Sequence, residues 1–310
     1  MDEPASEAVA AAPETFRPLS RVAMRGLGEF LTHILAALAK RFDGDLDLGI
    51  FFVALLGQAQ GATPSPISVS ALSRSLARPF ETARRLCNRL CDLGLAERTS
   101  KGVVISANGL EQQKTKDILG EIHGNLVRLA ADLRAVGYPI PPQRGATTDR
   151  AAIESAAIDL LLVSIEFGIP PHPMKDWQRP YLYLAVMTAN ARPYTFDPEL
   201  AMRYSDVTTP PADAHRAAVS ASVLARAVGI PYSTVRRNLE AMVEEGRLIR
   251  TEDGYLTSMV WMQGRASAAS GVQMATQVDR ILGRMAAAGF PFDDPASAYR
   301  DGPPPFLNFH

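Results

Sequence analysis

One stretch of sequence occurs twice in this chain, and the repeat limits the possible folds more than any other feature. Residues 68–139 align with residues 220–291 at a constant offset of 152 positions, without a gap. Over residues 68–106 the copies share 13 of 39 positions, and 11 of the 26 differences exchange one apolar residue for another. A repeat of this length indicates one structural unit built twice. We call residues 68–139 the first copy and residues 220–291 the second copy.

Length, composition and charge are those of a globular chain with room for two domains. The chain has 310 residues, of which 47% are hydrophobic and 21% charged. The net charge is −1, so a surface that binds nucleic acid has to be a local feature.

The chain carries no pattern of secretion or membrane insertion. It begins Met-Asp-Glu-Pro, which lacks the basic start of a secretory signal. Its uninterrupted apolar runs, such as residues 50–56, are far shorter than the ~20 residues that span a bilayer. Two cysteines do not make a disulfide framework. We therefore expect a cytoplasmic protein, associated with the nucleoid if it binds DNA, with no membrane partner.

Hydrophobic periodicity and breaker residues predict the same elements in each copy. A short helix, with Ser70 or Ser222 as its N-cap, precedes a tight turn and a second helix that starts after Pro79 or Pro231. That second helix ends at Gly94 or Gly246, which favour a left-handed C-cap. Two short extended segments follow as a hairpin, and then a long helix. Helix, turn, helix and hairpin are the outline of a winged helix-turn-helix.

The flanking segments complete the predicted architecture. Apolar helices are expected over 21–41, 46–58, 151–166 and 181–189, with loops over 60–66 and 192–213. The fold class is therefore mainly α with small β-wings, as two tandem winged helix-turn-helix units whose long flanking helices form a pseudo-dimer. The predicted domains are a disordered tail (1–20), a first unit (21–145), a second unit (146–293) and an extended C-terminal tail (294–310).

The second helix of each copy has an apolar stripe and an outward polar face with a pair of arginines. A helix fits the major groove of B-DNA, where arginine pairs with guanine and asparagine with adenine, while first-turn hydroxyls and hairpin cations suit phosphates. The candidate DNA-binding residues are Thr82, Arg84, Arg85, Asn88, Arg89, Arg98 and Lys101 in the first copy, and Tyr232, Ser233, Thr234, Arg236, Arg237, Asn238 and Arg250 in the second.

A simpler interpretation of paired arginines is a solvated helix face, but the surrounding outline and its repetition favour DNA. The two copies differ in net charge. Residues 67–106 hold seven basic and three acidic residues, a net charge of +4, whereas residues 219–258 hold five of each. Phosphate neutralisation drives most non-specific affinity. The first copy should therefore bind DNA more strongly, and the second reads a weaker half-site or contacts a protein.

Other chemistry-bearing residues have two interpretations each. Cys87 and Cys91 could form a redox sensor or half a metal site, but their counterparts Leu239 and Val243 favour packing in the core. The aromatic residues at 177, 181, 183 and 261, with Met262, could line a ligand pocket or belong to the core. His33 is expected in packing or at the surface. The sequence shows no phosphate loop, nucleophile elbow or zinc signature, so we expect no enzyme, cofactor or metal.

The segments Thr82-Ala-Arg-Arg, 90–98 and 104–110 carry a resemblance to winged-helix transcriptional regulators of the MarR-like class. The resemblance implies helices that build a dimer, with one recognition helix per subunit in the major groove. Here both units lie on one chain, which implies an intramolecular pseudo-dimer. Neither copy has the Asp-x-Arg of that class's wing.

The sequence thus predicts a sequence-specific regulator of transcription that binds double-stranded DNA. Its two non-identical units would read successive major grooves, about 34–36 Å apart, at an asymmetric site. Two alternatives are a tandem winged-helix module for protein assembly, like chromosome-partition accessory proteins, and a replication initiator. A homodimer and a small-molecule effector are both open.

Overall fold

A computed structural model describes residues 19–59, 65–145, 147–167, 176–206 and 209–310. The fold is mainly helical, with two small antiparallel sheets. Helices α1 to α6 are Ser20–Arg41, Leu46–Gln58, Val69–Ser75, Phe80–Asp92, Ala107–Glu111 and Gln113–Ala135. Helices α7 to α13 are Arg150–Phe167, Gln178–Thr195, Pro198–Arg203, Ala221–Val228, Tyr232–Glu244, Met259–Met262 and Arg265–Ala287. The strands β1 to β4 are Ala96–Thr99, Gly102–Ile105, Leu248–Thr251 and Gly254–Thr257.

The sequence repeat is also a repeat of elements. The offset of 152 positions carries α4, β1, β2 and α6 onto α11, β3, β4 and α13 with identical ends. In each copy an isolated bridge joins the hairpin to the residue before the first helix, Ile67 to Val103 and Val219 to Tyr255. Gly102 permits this bridge in the first copy, because a Cβ there would lie 2.3 Å from the carbonyl oxygen of Ile67. The predicted left-handed glycines, Gly94 and Gly246, are confirmed.

Some local predictions are wrong. The N-caps of α3 and α10 are Ser68 and Ser220, whose hydroxyls accept from Ala71 N and Val223 N, and not Ser70 and Ser222. The shift arises because the serine two residues earlier already has the extended backbone of an N-cap.

The predicted loop over 192–213 is also wrong in part. The helix α8 continues to Thr195, with Pro193 inside its last turns, and α9 follows. The side chain of Asp197 accepts from Leu200 N, and Pro198 takes the first position of α9. An Asp-Pro start is a helix signal that sequence reasoning missed. Residues 1–18 and 60–64, parts of the predicted tail and loop, lie outside the described residues.

We call the described residues up to 145 the first half and those from 147 the second half. Each half packs its first helix against helices of the other half. The helix α1 packs on α6 of its own half, and also on α8 and α13 of the other half. In the same manner α7 packs on α13, and across on α2 and α6. Contacts in which each half gives the same element to the other follow from an approximate two-fold axis. The buried apolar side chains of both halves accordingly form one continuous cluster.

The segments that follow the long helices α6 and α13 also contact the other half. Residues 143–145 and 147–149, which follow α6, bind the end of α13: Arg144 N donates to Ala286 O at 3.0 Å and Asp149 N to Ala288 O at 2.8 Å. The segment that leaves α13 returns to α6, where His123 Nε2 lies 3.0 Å from Ala298 O. The predicted boundary near residue 147 is therefore held against the second copy by hydrogen bonds.

Residues 299–310, the C-terminal strap, cover a polar cluster between the halves. Glu29 of α1 receives two hydrogen bonds from the Arg192 guanidinium of α8, at 3.0 and 2.7 Å. The ring of Phe306 lies 4.2 Å below the guanidinium carbon of Arg128, and Phe309 is buried. The strap thus ties α6 of the first copy to α1 and α8.

The His33 side chain is hydrogen-bonded to this strap. Its Nδ1 lies 2.8 Å from Glu29 O, and its Nε2 lies 3.0 Å from Leu307 N. A carbonyl only accepts and an amide N–H only donates, so these partners define a neutral ring that is protonated at Nδ1. Burial lowers the pKa of His33 to about 4.

By length and composition α1 could cross a membrane, with 22 residues and a mean hydropathy of 1.3 in its most apolar window. Its side chains face α6, α8 and α13 instead, and 83% of that window is buried inside the protein. This is the environment of a core helix. The sequence predicts this helix over 21–41, but its uninterrupted apolar runs are short because its polar residues are spread along it.

Acidification should destabilise the fold through His33. The ring stays neutral in the folded chain down to about pH 4, whereas an unfolded histidine binds a proton near pH 6.5. The contribution of His33 to the free energy of unfolding should therefore fall by about 3 kcal/mol, as an upper figure, between pH 6.5 and 4. Asp47 and Asp132, whose pKa values burial raises to about 6 and about 7, change the free energy in the opposite direction. Urea unfolding at several pH values measures this loss.

His33→Gln is the control, because glutamine does not titrate. On acidification its free energy of unfolding should fall less than that of the unmodified chain, because the contribution of His33 is absent. The charged groups around the ring, Glu29, Arg128 and Arg192, are unchanged in the variant, and equal pH dependences would contradict the assignment.

Candidate nucleic-acid interface

The outward face of α4 presents the predicted residues of the first copy. Ala83, Leu86, Cys87 and Leu90 are buried in the core, so the opposite side of the helix faces solvent. Arg84, Arg85 and Arg89 are exposed, with Thr82 and Asn88 half-buried between them. Together they line a shallow depression with Glu81 and Asp92. The structure thus buries the apolar side of α4, with Cys91 only half-buried, and exposes the polar face that carries the predicted arginines.

The second copy presents an equivalent face on α11. Val235, Leu239 and Met242 are buried. Tyr232, Ser233, Arg236 and Arg237 are exposed, and Thr234 and Asn238 are half-buried. The Asn238 amide donates to Thr234 O at 2.9 Å within its own helix, which occupies one of its donors.

Several of these cations already have intramolecular partners. Glu81 holds Arg84 at 2.8 Å in an exposed pair on the same helix. Arg85, Arg236 and Arg237 make no hydrogen bond or ion pair with any described residue. These three guanidinium groups can therefore meet a ligand without first giving up a partner.

The hairpin arginine is tied to the second helix at equivalent positions in both copies. The Asn88 side-chain oxygen accepts two hydrogen bonds from Arg98, one of them at 3.1 Å. At the same site in the second copy, Glu240 accepts from Arg250 at 2.9 Å. It also accepts from the Tyr255 hydroxyl at 2.9 Å. Asn88 leaves the charge of Arg98 in place, whereas Glu240 neutralises that of Arg250.

Acidic residues outside the repeat reduce the basic charge of the first copy. Asp45 forms an ion pair with Arg89. Asp47 forms one with Arg78 at 3.1 Å, and the Arg78 side chain is buried. Burial raises the pKa of Asp47 to about 6. The net charge of +4 counted Arg78 as a surface cation and omitted both aspartates, so it overstates the contrast between the copies.

The thiols lie on the buried side of α4. Cys87 is fully buried and Cys91 half-buried. Burial raises the pKa of the Cys87 thiol to about 11, and that of Cys91 is also raised. A thiol with a raised pKa is a poor nucleophile at neutral pH. The core interpretation of Cys87 is confirmed.

A cavity of about 100 Å³ lies between α1 and α8. Arg25 lines it, with its guanidinium hydrogen-bonded to Tyr204 O and Ala201 O at 2.8 Å. The hydroxyl of Ser20, also in the lining, has no hydrogen-bond partner among the described residues. With methionine and tyrosine side chains completing the wall, the cavity has the chemistry to accept a small anion with an apolar body.

The other candidate residues fall elsewhere. Trp177 and Tyr181 are buried in the core and Tyr183 is half-buried, whereas Trp261 is exposed. Met262 does line the cavity between α1 and α8. Within the parts of the chain that the structure describes, no three His, Cys, Asp or Glu side chains group as a metal site.

Comparison of the chain with models of known protein families, with curated protein sequences and with solved structures gave no match.

The rate at which Cys87 and Cys91 are alkylated should depend on how deeply each thiol is buried. We expect iodoacetamide at pH 7.5 to modify Cys91 slowly and Cys87 only on unfolding, because the thiolate is the reactive form. Mass spectrometry of timed samples distinguishes the two sites, and Cys91→Ser isolates Cys87. Modification of Cys87 in the folded protein as fast as free cysteine would restore the redox interpretation.

Proposed function

We propose that the protein is a sequence-specific regulator of transcription that binds double-stranded DNA through two tandem, non-identical winged-helix units. The observation that carries this proposal is the presence of the same exposed arginine pair on two equivalent helices, Arg84 and Arg85 on α4 and Arg236 and Arg237 on α11. Each pair stands on a helix–turn–helix–hairpin scaffold whose opposite side is buried.

The exchanged packing of the halves supports an intramolecular pseudo-dimer. Elements related by an approximate two-fold axis present equivalent faces in related directions. A DNA duplex has the same kind of local symmetry, so a two-fold pair of reading helices suits two successive half-sites. The side chains on the two faces differ at 88 and 240, asparagine against glutamate, and at 89 and 241, arginine against alanine. These differences favour an asymmetric operator.

Loss of the first arginine pair should abolish specific binding. Arg84→Ala with Arg85→Ala should weaken binding to a duplex selected from a random library by about 100-fold or more, at about 1–3 kcal/mol per arginine contact. Arg236→Ala with Arg237→Ala is the matched variant, with a smaller loss because its copy is less basic. Fluorescence anisotropy over a salt series measures both.

The salt series also tests the kind of contact. Each lost phosphate contact should reduce the slope of log affinity against log salt by about 0.9. Undiminished binding by the Arg84/Arg85 double variant would show that α4 does not read the duplex.

Asn88 and Glu240 accept hydrogen bonds from the hairpin arginine of their own copy. Replacing either one by the residue of the other copy should change the affinity for DNA. Glu240→Asn keeps an acceptor for Arg250 but restores its positive charge, so DNA affinity should rise about five- to tenfold. Asn88→Glu should lower affinity by a similar factor for the converse reason. The same anisotropy measurement serves, and changes of the same sign in both variants would contradict the proposal.

A protein-assembly module of tandem winged helices is the second candidate, favoured by the equal numbers of basic and acidic residues over 219–258. Retention on a duplex-DNA column separates the two functions. A regulator with about six phosphate contacts loses affinity steeply with salt, whereas an assembly module passes through at low salt. For a replication initiator the selected duplexes would be repeated origin sequences.

The cavity between α1 and α8 supports a small-molecule effector as part of the same proposal. It lies where the first half contacts the second. A ligand that separates α1 from α8 would change the relation of α4 to α11, and with it the fit to two half-sites.

A further inference from the structure

The second copy has exposed apolar side chains at positions where the first copy has none. Ile249 is 47% exposed, Val260 86% and Trp261 43%. The equivalent residues of the first copy are Glu97, Asn108 and Gly109. Both copies have a hairpin strand at the first of these positions and a short helix at the other two, so neither kind of element requires apolar residues there. We call Ile249, Val260 and Trp261 the apolar patch.

The members of the patch lie on one side of the second copy. The Arg247 guanidinium carbon lies 4.7 Å from the centre of the Trp261 ring. Ile249 lies two residues after Arg247, so β-strand alternation puts both on the same side. The α12 helix that carries Val260 and Trp261 starts beside Arg247, where Ser258 N donates to Arg247 O at 2.9 Å. The hairpin residue Ile249 is thereby brought to the same side as the adjacent pair Val260 and Trp261.

Ion pairs hold the tryptophan in place. Arg247 lies 2.9 Å from one carboxylate oxygen of Glu245, and Arg179 lies 2.5 Å from the other. A planar ring stacked on a paired guanidinium loses little further freedom when a partner covers it, which is the condition for a preformed contact surface. Tryptophan is also the residue type that most often carries interface energy.

The surroundings of the patch are acidic. Residues 240–253 hold five acidic and two basic side chains, and Glu244, Glu252 and Asp253 are exposed. The equivalent residues of the first copy, 88–101, hold two acidic and three basic side chains. An apolar centre with an acidic rim is complementary to a segment that has an apolar stripe and basic flanks.

We propose that the apolar patch of the second copy is a docking site for a basic amphipathic helix of a partner protein. The patch lies at the C-terminal end of α11, about 20 Å along the 13-residue helix from Tyr232. It does not involve Arg236 or Arg237. The proposal therefore stands independently of DNA binding.

Trp261 supplies a local readout of the docking. It is one of two tryptophans, and the other, Trp177, is 5% exposed. The probe is a synthetic 18-residue helix with leucine on one face and lysine on the other, without aromatic residues. Its titration into the full chain should shift tryptophan emission to shorter wavelengths and reduce acrylamide quenching. Peptides with serine for leucine, or glutamate for lysine, should produce at least tenfold weaker binding.

The first copy provides the matched variants. Ile249→Glu with Val260→Asn installs its residues at two exposed positions and keeps Trp261, and it should bind the peptide at least tenfold more weakly while its urea midpoint stays unchanged. Val260→Asn alone serves if the double variant unfolds. In the reverse direction, Glu97→Ile with Asn108→Val adds apolar side chains to a basic rim, and calorimetry should show no added binding.

Three results would overturn the proposal: tryptophan emission unchanged by the lysine peptide, equal affinity of the double variant, or equal affinity of the glutamate peptide. Sedimentation provides a further test. If the unmodified chain forms a dimer that Ile249→Glu with Val260→Asn abolishes, the occupant of the patch is a second copy of this chain and not a basic helix.

Discussion

The burial of α1 against both halves is the interaction on which the rest of the structure depends. A helix of 22 residues packed on α6, α8 and α13 joins two segments that the sequence repeat alone would leave as separate units. Apolar burial supplies most of the stabilisation, and one cluster of buried apolar side chains runs through both halves. The relation of α4 to α11 is consequently a property of the whole chain.

Polar groups inside this packing specify one arrangement. Thr32 and Thr188 meet at 3.1 Å between α1 and α8, and Glu29 meets Arg192 in the same interface. A buried charge pair adds little net stability, but an uncompensated buried charge costs several kcal/mol, on the order of 3–5. A slipped or separated arrangement of the halves would leave Glu29 without its partner. The strap adds to the same cluster the Leu307 N–H, which donates to His33, and the rings of Phe306 and Phe309.

One backbone supports two different surfaces in this protein. The hairpins have the same register, with Thr99 opposite Gly102 and Thr251 opposite Gly254. Each second helix holds the hairpin arginine from an equivalent position. What differs is the charge of the holding residue and the polarity of the exposed positions around it. Duplication followed by surface change is a simple physical route to such a difference, and the two proposed binding sites both depend on it.

The sequence by itself determined the elements of the two copies. The bounds of α4 and α11, the hairpins and the glycine C-caps follow from neighbours within a few residues, and periodicity records such neighbours. It also determined which side of α4 is buried, because an apolar stripe can only face a core.

Only the tertiary structure decided which charges are free and how the halves meet. Asp45 and Asp47 reach Arg89 and Arg78 from 44 and 31 residues away, and Arg192 reaches Glu29 across 163 residues. Sequence periodicity cannot predict pairs that lie so far apart, because it reflects only contacts between residues that are near each other in the chain. Exposure of Ile249, Val260 and Trp261 is likewise a property of the folded surface, since a β-strand or short helix can bury or expose any of its positions.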